Sequence, residues 1–307
     1  MDQIELIQCF HEDCRLRGLS SSTCRTYTHK VRAFAAYMGV QDIKLEEAGK
    51  DAIKLYLNHL RMEKHLRGNS IETIFAAVSS FYSFLEEEGL ISFNPVDPVK
   101  KRYLHNYKKS DETHIRKIIT VIEASRLVNS ILDIRDKTIV TLLLKTGIRR
   151  NELISLDKDD VNINDKKIIL KHTAKRTNRL IYFDDETAIL LGKWLRAREV
   201  RNKKNSPALF ISSELHRIQA STIQRMIKKY ARRVGIDDPN SNQMQDHFSP
   251  HCCRHWFTTH LRRAGMPREF IQELRGDVRR EAIDIYDHID KKELKESYLA
   301  HIPQLGI

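Results

Sequence analysis

Apolar residues recur along the first ninety positions at steps of three and four, the period of helices with one buried face. Ile4, Leu6, Ile7, Phe10 and Cys14 make a first face that ends before Gly18. Ser20-Ser21-Ser22-Thr23 then offers N-cap hydroxyls to a second helix, whose Tyr27, Val31, Phe34 and Met38 share a face up to Gly39. Ile53, Tyr56, Leu57 and Leu60 predict a third helix. Ser70 to Gly89, with Ile74, Phe75, Val78, Phe81, Tyr82 and Leu85, predicts a fourth. The aromatic residues fall at helical spacing and therefore read as core. Asn94-Pro95-Val96-Asp97-Pro98 ends the helical pattern, because a residue before proline avoids the α region. Lys100 to Ser110 carries no periodic apolar set and reads as a linker.

From about residue 115 the texture changes. Helical patterns at 121–132 and 135–145 lead into Thr146-Gly147-Ile148-Arg149. Ile168-Ile169-Leu170 and Leu180-Ile181-Tyr182-Phe183 look like short strands flanking a polar turn. Helices resume at about 185–200, 221–234, 250–264, 267–275, 280–289 and 291–301, with Ser249-Pro250 a good N-cap and first-turn pair. The pattern predicts a mainly α chain with a small β-sheet: a helical domain over 1–100, a basic linker over 101–114, and an α+β domain over 115–307. No internal repeat is visible.

Composition narrows the classes. No apolar run approaches the roughly 20 residues that span a bilayer, and Asp2 and Glu5 stand where a secretory signal carries bases. Five cysteines, Cys9, Cys14, Cys24, Cys252 and Cys253, show no disulfide spacing. A cytoplasmic location is expected. Lys and Arg number 53 against 41 Asp and Glu, a formal charge of +12, which favours a polyphosphate partner and speeds encounter with it. Lys100, Lys101, Arg102, Lys108 and Lys109 of the linker then have two readings, contact with a DNA backbone or a solvated tether.

Three segments carry candidate chemistry. Thr146-Gly147-Ile148-Arg149-Arg150-Asn151-Glu152-Leu153 puts an arginine at the opening of a helix. His251-Cys252-Cys253-Arg254-His255 puts His251 and Arg254 on one helix face at i and i+3. Tyr286 lies in Ile285-Tyr286-Asp287-His288. Each alone has a bland alternative: a surface ion pair, a core histidine, a packing tyrosine. Together and in this order they resemble the tyrosine recombinase (phage integrase) family. Thr146 to Leu153 matches its TGxRxxEL box, His251 to His260 its HxxRHxFxTH box, and Tyr286 stands nine residues after Asp277, as the family's tyrosine does after a helix-terminal glycine and one further residue. The resemblance covers nearly the whole chain, and the wording around CCRHWFTTHL and LRGD is most similar to archaeal integrase and Xer-type members.

The resemblance implies a four-helix, SAM-like core-binding domain that clamps double-stranded DNA, followed by the catalytic domain. It implies Tyr286 as nucleophile, a 3′-phosphotyrosine intermediate and a free 5′-hydroxyl, with rejoining that needs no ATP. The residue types suit that chemistry. Breaking a phosphodiester loads charge onto the nonbridging oxygens, and Arg149, Arg254 and His251 supply fixed donors without a metal or cofactor. Arginine suits because its planar fork grips phosphate oxygens in pairs. A tyrosine, with an ordinary pKa near 10, needs cationic neighbours or a base to attack. The family's hairpin lysine, which protonates the leaving 5′-oxygen, maps onto Lys175, with Lys171 as the alternative.

One position departs from the family. Where most members carry His or Trp, this chain has Asp277, which cannot donate when ionised. Either it orients an arginine from behind, or His255 or His288 supplies the missing contact. The group His247, His251, Cys252, Cys253 and His255 is not read as a metal site, because adjacent residues on a helix point about 100° apart. The final stripe, Leu294, Tyr298, Leu299 and Ile302, is expected to dock into a neighbouring protomer, as in the family, within a homotetramer on paired DNA sites. The alternatives are a cleavage-deficient DNA-binding member of the fold and a type IB topoisomerase-like activity. Target site and biological role, whether integration, excision or dimer resolution, are not legible.

Overall fold

The computed structural model describes residues 2–104, 117–172, 178–277 and 289–307. The chain forms two compact units, Met1–Asp111 and Glu112–Ile307.

In the first unit, α1 (Gln3–Leu16), α2 (Ser21–Val40), α3 (Lys50–Asn58) and α4 (Gly68–Glu87) follow the predicted faces. Ser20 caps α2 by accepting the Thr23 N–H at 3.2 Å. The buried stripes meet in an aromatic core, where Phe10 packs edge-on against Phe81 and Phe34 edge-on against Tyr56 and Tyr82. The polar tip of Tyr82 is satisfied by the Leu45 carbonyl at 3.0 Å.

A fifth helix, α5 (Val96–Tyr103), runs where the pattern predicted its end, and reaches into the expected linker. Pro95 and Pro98 do not prevent it. They occupy the N-cap and third helical positions, whose N–H groups have no partner within a helix. Asn94 fixes the start: its side chain accepts from Val96 N–H and donates to the Ser79 carbonyl, both at 3.0 Å. Val96 and Val99 are fully buried against the four-helix core. Two apolar residues are too few to show a period, so only packing reveals the helix.

The second unit is built around α7 (Ile134–Thr146), which is buried on nearly every side and packs against α9 (Asp185–Arg201) and α11 (Pro250–Arg263). α6 (Val121–Asn129), α8 (Arg150–Ser155) and α10 (Ala220–Arg233) complete this core. A three-stranded antiparallel sheet lies beside it, in the order β1 (Val161–Asn162), β2 (Lys167–Ile169), β3 (Leu180–Tyr182). Ile168 sits opposite both Val161 and Ile181 and is fully buried. The first of these strands has only two residues and left no alternation to read. α12 (Arg268–Arg275) and α13 (Lys291–His301) pack with α11 in a second cluster around Phe257 and Tyr298. The helix expected at 280–289 lies mostly outside the described residues.

The final stripe differs from expectation. Leu294, Tyr298 and Ile302 are buried in their own domain, and the segment after α13 folds back onto it. Lys145, wholly buried, donates to Asp184 at 2.5 Å, Glu186 at 2.7 Å and the Pro303 carbonyl at 2.6 Å. Glu186 in turn accepts the backbone N–H groups of Leu305, Gly306 and Ile307. A buried cation thus joins α7 to α9 and to the end of the chain. The apolar stripe has its partner in cis because α11 and α12 leave an apolar face that α13 fills.

Candidate active site

The site starts at the end of α7. Gly147 terminates that helix in the left-handed region, at φ 59°. It also faces the ring of Phe257 on α11: a Cβ here would lie 2.4 Å from Phe257 Cδ1. Only glycine satisfies both conditions. The chain then turns into α8, with Arg149 as its N-cap. Glu152, one turn on and buried, accepts the Arg149 backbone N–H at 2.8 Å with one oxygen and the Arg149 Nη1 at 3.0 Å with the other. Backbone and guanidinium are therefore fixed by one carboxylate.

Arg254 comes from α11 and is almost wholly buried. Its Nη1 donates to the Gly147 carbonyl at 2.7 Å and its Nη2 to the Arg275 carbonyl at 2.9 Å. It thereby bolts the end of α7 to the end of α12. His251, exposed, lies one turn earlier in the first turn of α11, with its ring edge-on to His255 at 4.7 Å between centroids.

α12 ends at Gly276, again left-handed at φ 63°, and the Asp277 N–H turns back to the Gln272 carbonyl at 3.2 Å. That reversal carries the Asp277 carboxylate to the arginines. Its Oδ1 accepts from Arg254 Nη2 at 3.0 Å and Arg149 Nη2 at 3.4 Å, and its Oδ2 pairs with Arg275 Nε at 3.0 Å. Asp277 thus contacts the side chains of Arg149, Arg254 and Arg275.

Residues 109–293 match the phage integrase family, and residues 6–91 match the N-terminal SAM-like domain of phage integrases. The chain belongs to the phage integrase family. It is a site-specific tyrosine recombinase, an enzyme that cuts and rejoins DNA through a covalent phosphotyrosine. The recombinase is 29% identical over 295 residues to tyrosine recombinase XerC of Thermodesulfovibrio yellowstonii, covering 92% of this chain and 90% of that one. It is 27% identical to tyrosine recombinase XerD of Pseudomonas putida, covering 94% and 93%. Its fold matches the integrase of transposon Tn1549 in complex with circular intermediate DNA, with a TM-score of 0.66 at 18% identity over 95% of this chain and 98% of that one. It also matches a lambda integrase dimer bound to a COC′ core site, with a TM-score of 0.66 at 16% identity over 95% and 100%.

Among the residues singled out from sequence, the recombinase brings Arg149, Arg254 and Asp277 together, with His251 one turn from Arg254. Lys175, Tyr286 and His288 lie outside the described residues. Lys171 Nζ is 2.5 Å from Asp157, whose carboxylate also accepts from Arg217. Burial pushes the Asp157 carboxyl up, but the hydrogen bonds from Lys171 and Arg217 outweigh it and hold the carboxyl below its usual value. The Tyr298 hydroxyl donates to the Lys145 carbonyl at 2.9 Å, and burial drives its pKa far above the ordinary tyrosine value.

Sequence reasoning missed the work of two residues. Glu152 was visible as a family position and, three residues after an N-cap, as a capping acid, but its grip on the Arg149 guanidinium was not. Arg275 reads as an ordinary basic residue in a helix's last turn. Among the described residues no group of three or more His, Cys, Asp or Glu could hold a metal ion, and no described helix is long and apolar enough to cross a membrane.

Proposed function

We propose that Arg149, Arg254 and His251 hold the scissile phosphate, that Tyr286 attacks it, and that Lys175 protonates the leaving oxygen. The observation that carries this reading is the convergence of terminal amines from two helices, Arg149 Nη2 and Arg254 Nη2, on a single carboxylate oxygen. Donors held in place that way need no reorganisation when charge develops between them. The Tyr286 phenolate forms the new P–O bond, the P–O5′ bond breaks, and Lys175 delivers a proton to the 5′-oxygen. Attack of that 5′-hydroxyl on the 3′-phosphotyrosine reverses each step and releases the tyrosine. Asp277 positions the arginines and does not touch the reacting atoms.

At the level of assembly, the reading is four protomers on two DNA sites in the cytoplasm, exchanging strands in pairs. Near-full-length similarity to Xer recombinases supports dimer resolution over integration or excision.

Covalent trapping tests the chemistry. Wild type and Tyr286→Phe are incubated with nicked duplex DNA from the region flanking the gene and run on a denaturing gel. A slower protein–DNA band with wild type alone is expected. A band that persists in Tyr286→Phe would move the nucleophile elsewhere, and no band from either protein on DNA it binds would sink the reading.

A further inference from the structure

The first unit holds a cavity of about 440 Å³ between the later part of α1 and the start of α2. His11, Arg15, Ser21 and Arg25 give its polar lining, Leu19 and Cys24 the apolar part, and no carboxylate is among them. Neither Arg15 nor Arg25 makes an ion pair or a hydrogen bond among the described residues, whereas Arg17 pairs with Asp13 at 3.3 Å. The histidine is oriented. The Thr28 hydroxyl donates its one hydrogen to the Cys24 carbonyl at 2.8 Å, so its oxygen accepts from His11 Nδ1 at 2.9 Å. That bond sets the ring tautomer and leaves Nε2 to accept from a ligand hydroxyl or, in the charged ring, to donate to a ligand oxygen.

Two guanidinium groups around an acid-free cavity repel each other until an anion lies between them. Their planar forks each match a pair of phosphate oxygens. A cavity of about 440 Å³ is in the range of small-ligand sites. It has room for the organic part of an ester beside its phosphate, with Leu19 and Cys24 to lie against. We infer that this cavity binds the phosphate group of a phosphate ester, with Arg15 and Arg25 gripping its oxygens. The ester is a backbone phosphate of bound DNA or a free mononucleotide, which present the same oxygens. The site shares no residue with the arginine clamp of the second unit and does not depend on the roles proposed for Arg149, Arg254 and Tyr286.

The test is an NMR titration of the isotope-labelled full-length recombinase that follows the side-chain Nε–Hε signals of Arg15 and Arg25, assigned from Arg15→Lys and Arg25→Lys. Inorganic phosphate and adenosine monophosphate should each move both signals along one saturable curve, while sodium chloride at matched ionic strength moves neither. Arg15→Gln should weaken binding of adenosine monophosphate, read at Arg25, about tenfold or more, the loss of one charge-assisted hydrogen bond. Both arginines are exposed, so the substitutions leave the core of the unit intact. No saturable movement with either probe, or equal movement with chloride, would overturn the inference. Duplex DNA then separates the two sources. If a backbone phosphate fills the cavity, saturating duplex abolishes the response to adenosine monophosphate, and Arg15→Gln combined with Arg25→Gln lowers the slope of log affinity against log salt by about one. If a free ester fills it, the response survives on DNA and the slope is unchanged.

Discussion

Gly147→Ala perturbs the turn on which Arg149 depends, and its cost can be worked from two separate terms. The residue sits at φ 59°, where an L side chain costs about 1–2 kcal/mol. The added Cβ would also lie 2.4 Å from Phe257 Cδ1 and 2.8 Å from its Cγ. Phe257 is buried between Leu261 and Tyr298, so the ring has little room to retreat. Overpacking of this kind costs about 1–3 kcal/mol, and the two terms together predict a loss of roughly 2–5 kcal/mol. Both tryptophans, Trp194 and Trp256, are buried in the second unit, so their fluorescence during urea unfolding reports on that unit. Phe257→Leu separates the terms: the double variant should recover the overpacking share but not the backbone share. Additive losses, or a Gly147→Ala loss below about 1 kcal/mol with unchanged m-value, would refute the close-contact argument.

Asp277→Asn keeps the shape but removes the charge that gathers three arginines; single-turnover cleavage should slow about tenfold, on the order of one charge-assisted hydrogen bond, while DNA affinity at fixed salt rises. Cleavage at the wild-type rate would show that Asp277 positions nothing. Lys175→Ala should lose cleavage on ordinary DNA and regain it on a 5′-bridging phosphorothioate, whose sulfur leaves without a proton, whereas Lys171→Ala should stay near wild type on both. Rescue of Lys171→Ala instead would exchange the two roles. Burial pushes the Glu186 carboxyl up, but Lys145 and the backbone N–H groups of Leu305 and Ile307 outweigh it, so its folded pKa lies below the ordinary 4.5. The unfolded chain therefore binds the extra proton first, and this share of stability is present above about pH 4.5 and fades as pH falls toward the folded value. Glu186→Gln should flatten that part of the acid limb and speed proteolysis of residues 303–307; an unchanged limb would show that the carboxylate is not what holds the segment.

The helical faces of α1 to α4 were legible because each buries a stripe long enough to repeat, Tyr27 to Met38 on α2 being the clearest. α5 was not, since its two valines show no period and its two prolines argue against a helix until their positions in the first turn are known. The stripe of α13 was legible as apolar, and where docking into a neighbouring protomer was expected, this chain covers it in cis. Nothing in Leu294, Tyr298 and Ile302 says whose surface covers them, and the answer came from Phe257 and Leu261 on α11.

By itself, the chain's order of residues determined the helical class, the small sheet and the type of chemistry, because periodicity and motif spacing are local properties. It also placed Arg149 at a helix start and put His251 and Arg254 on one face. What only the tertiary structure decided is which groups meet: Glu152 and Asp277 with the arginines, Arg275 as their neighbour, Lys171 drawn to Asp157, and Lys145 beneath the end of the chain. Asp277 lies 128 positions from Arg149. Two left-handed glycines and the close approach of α7 to α11 bring them within reach, and a charge interaction becomes specific only when packing has set the distance.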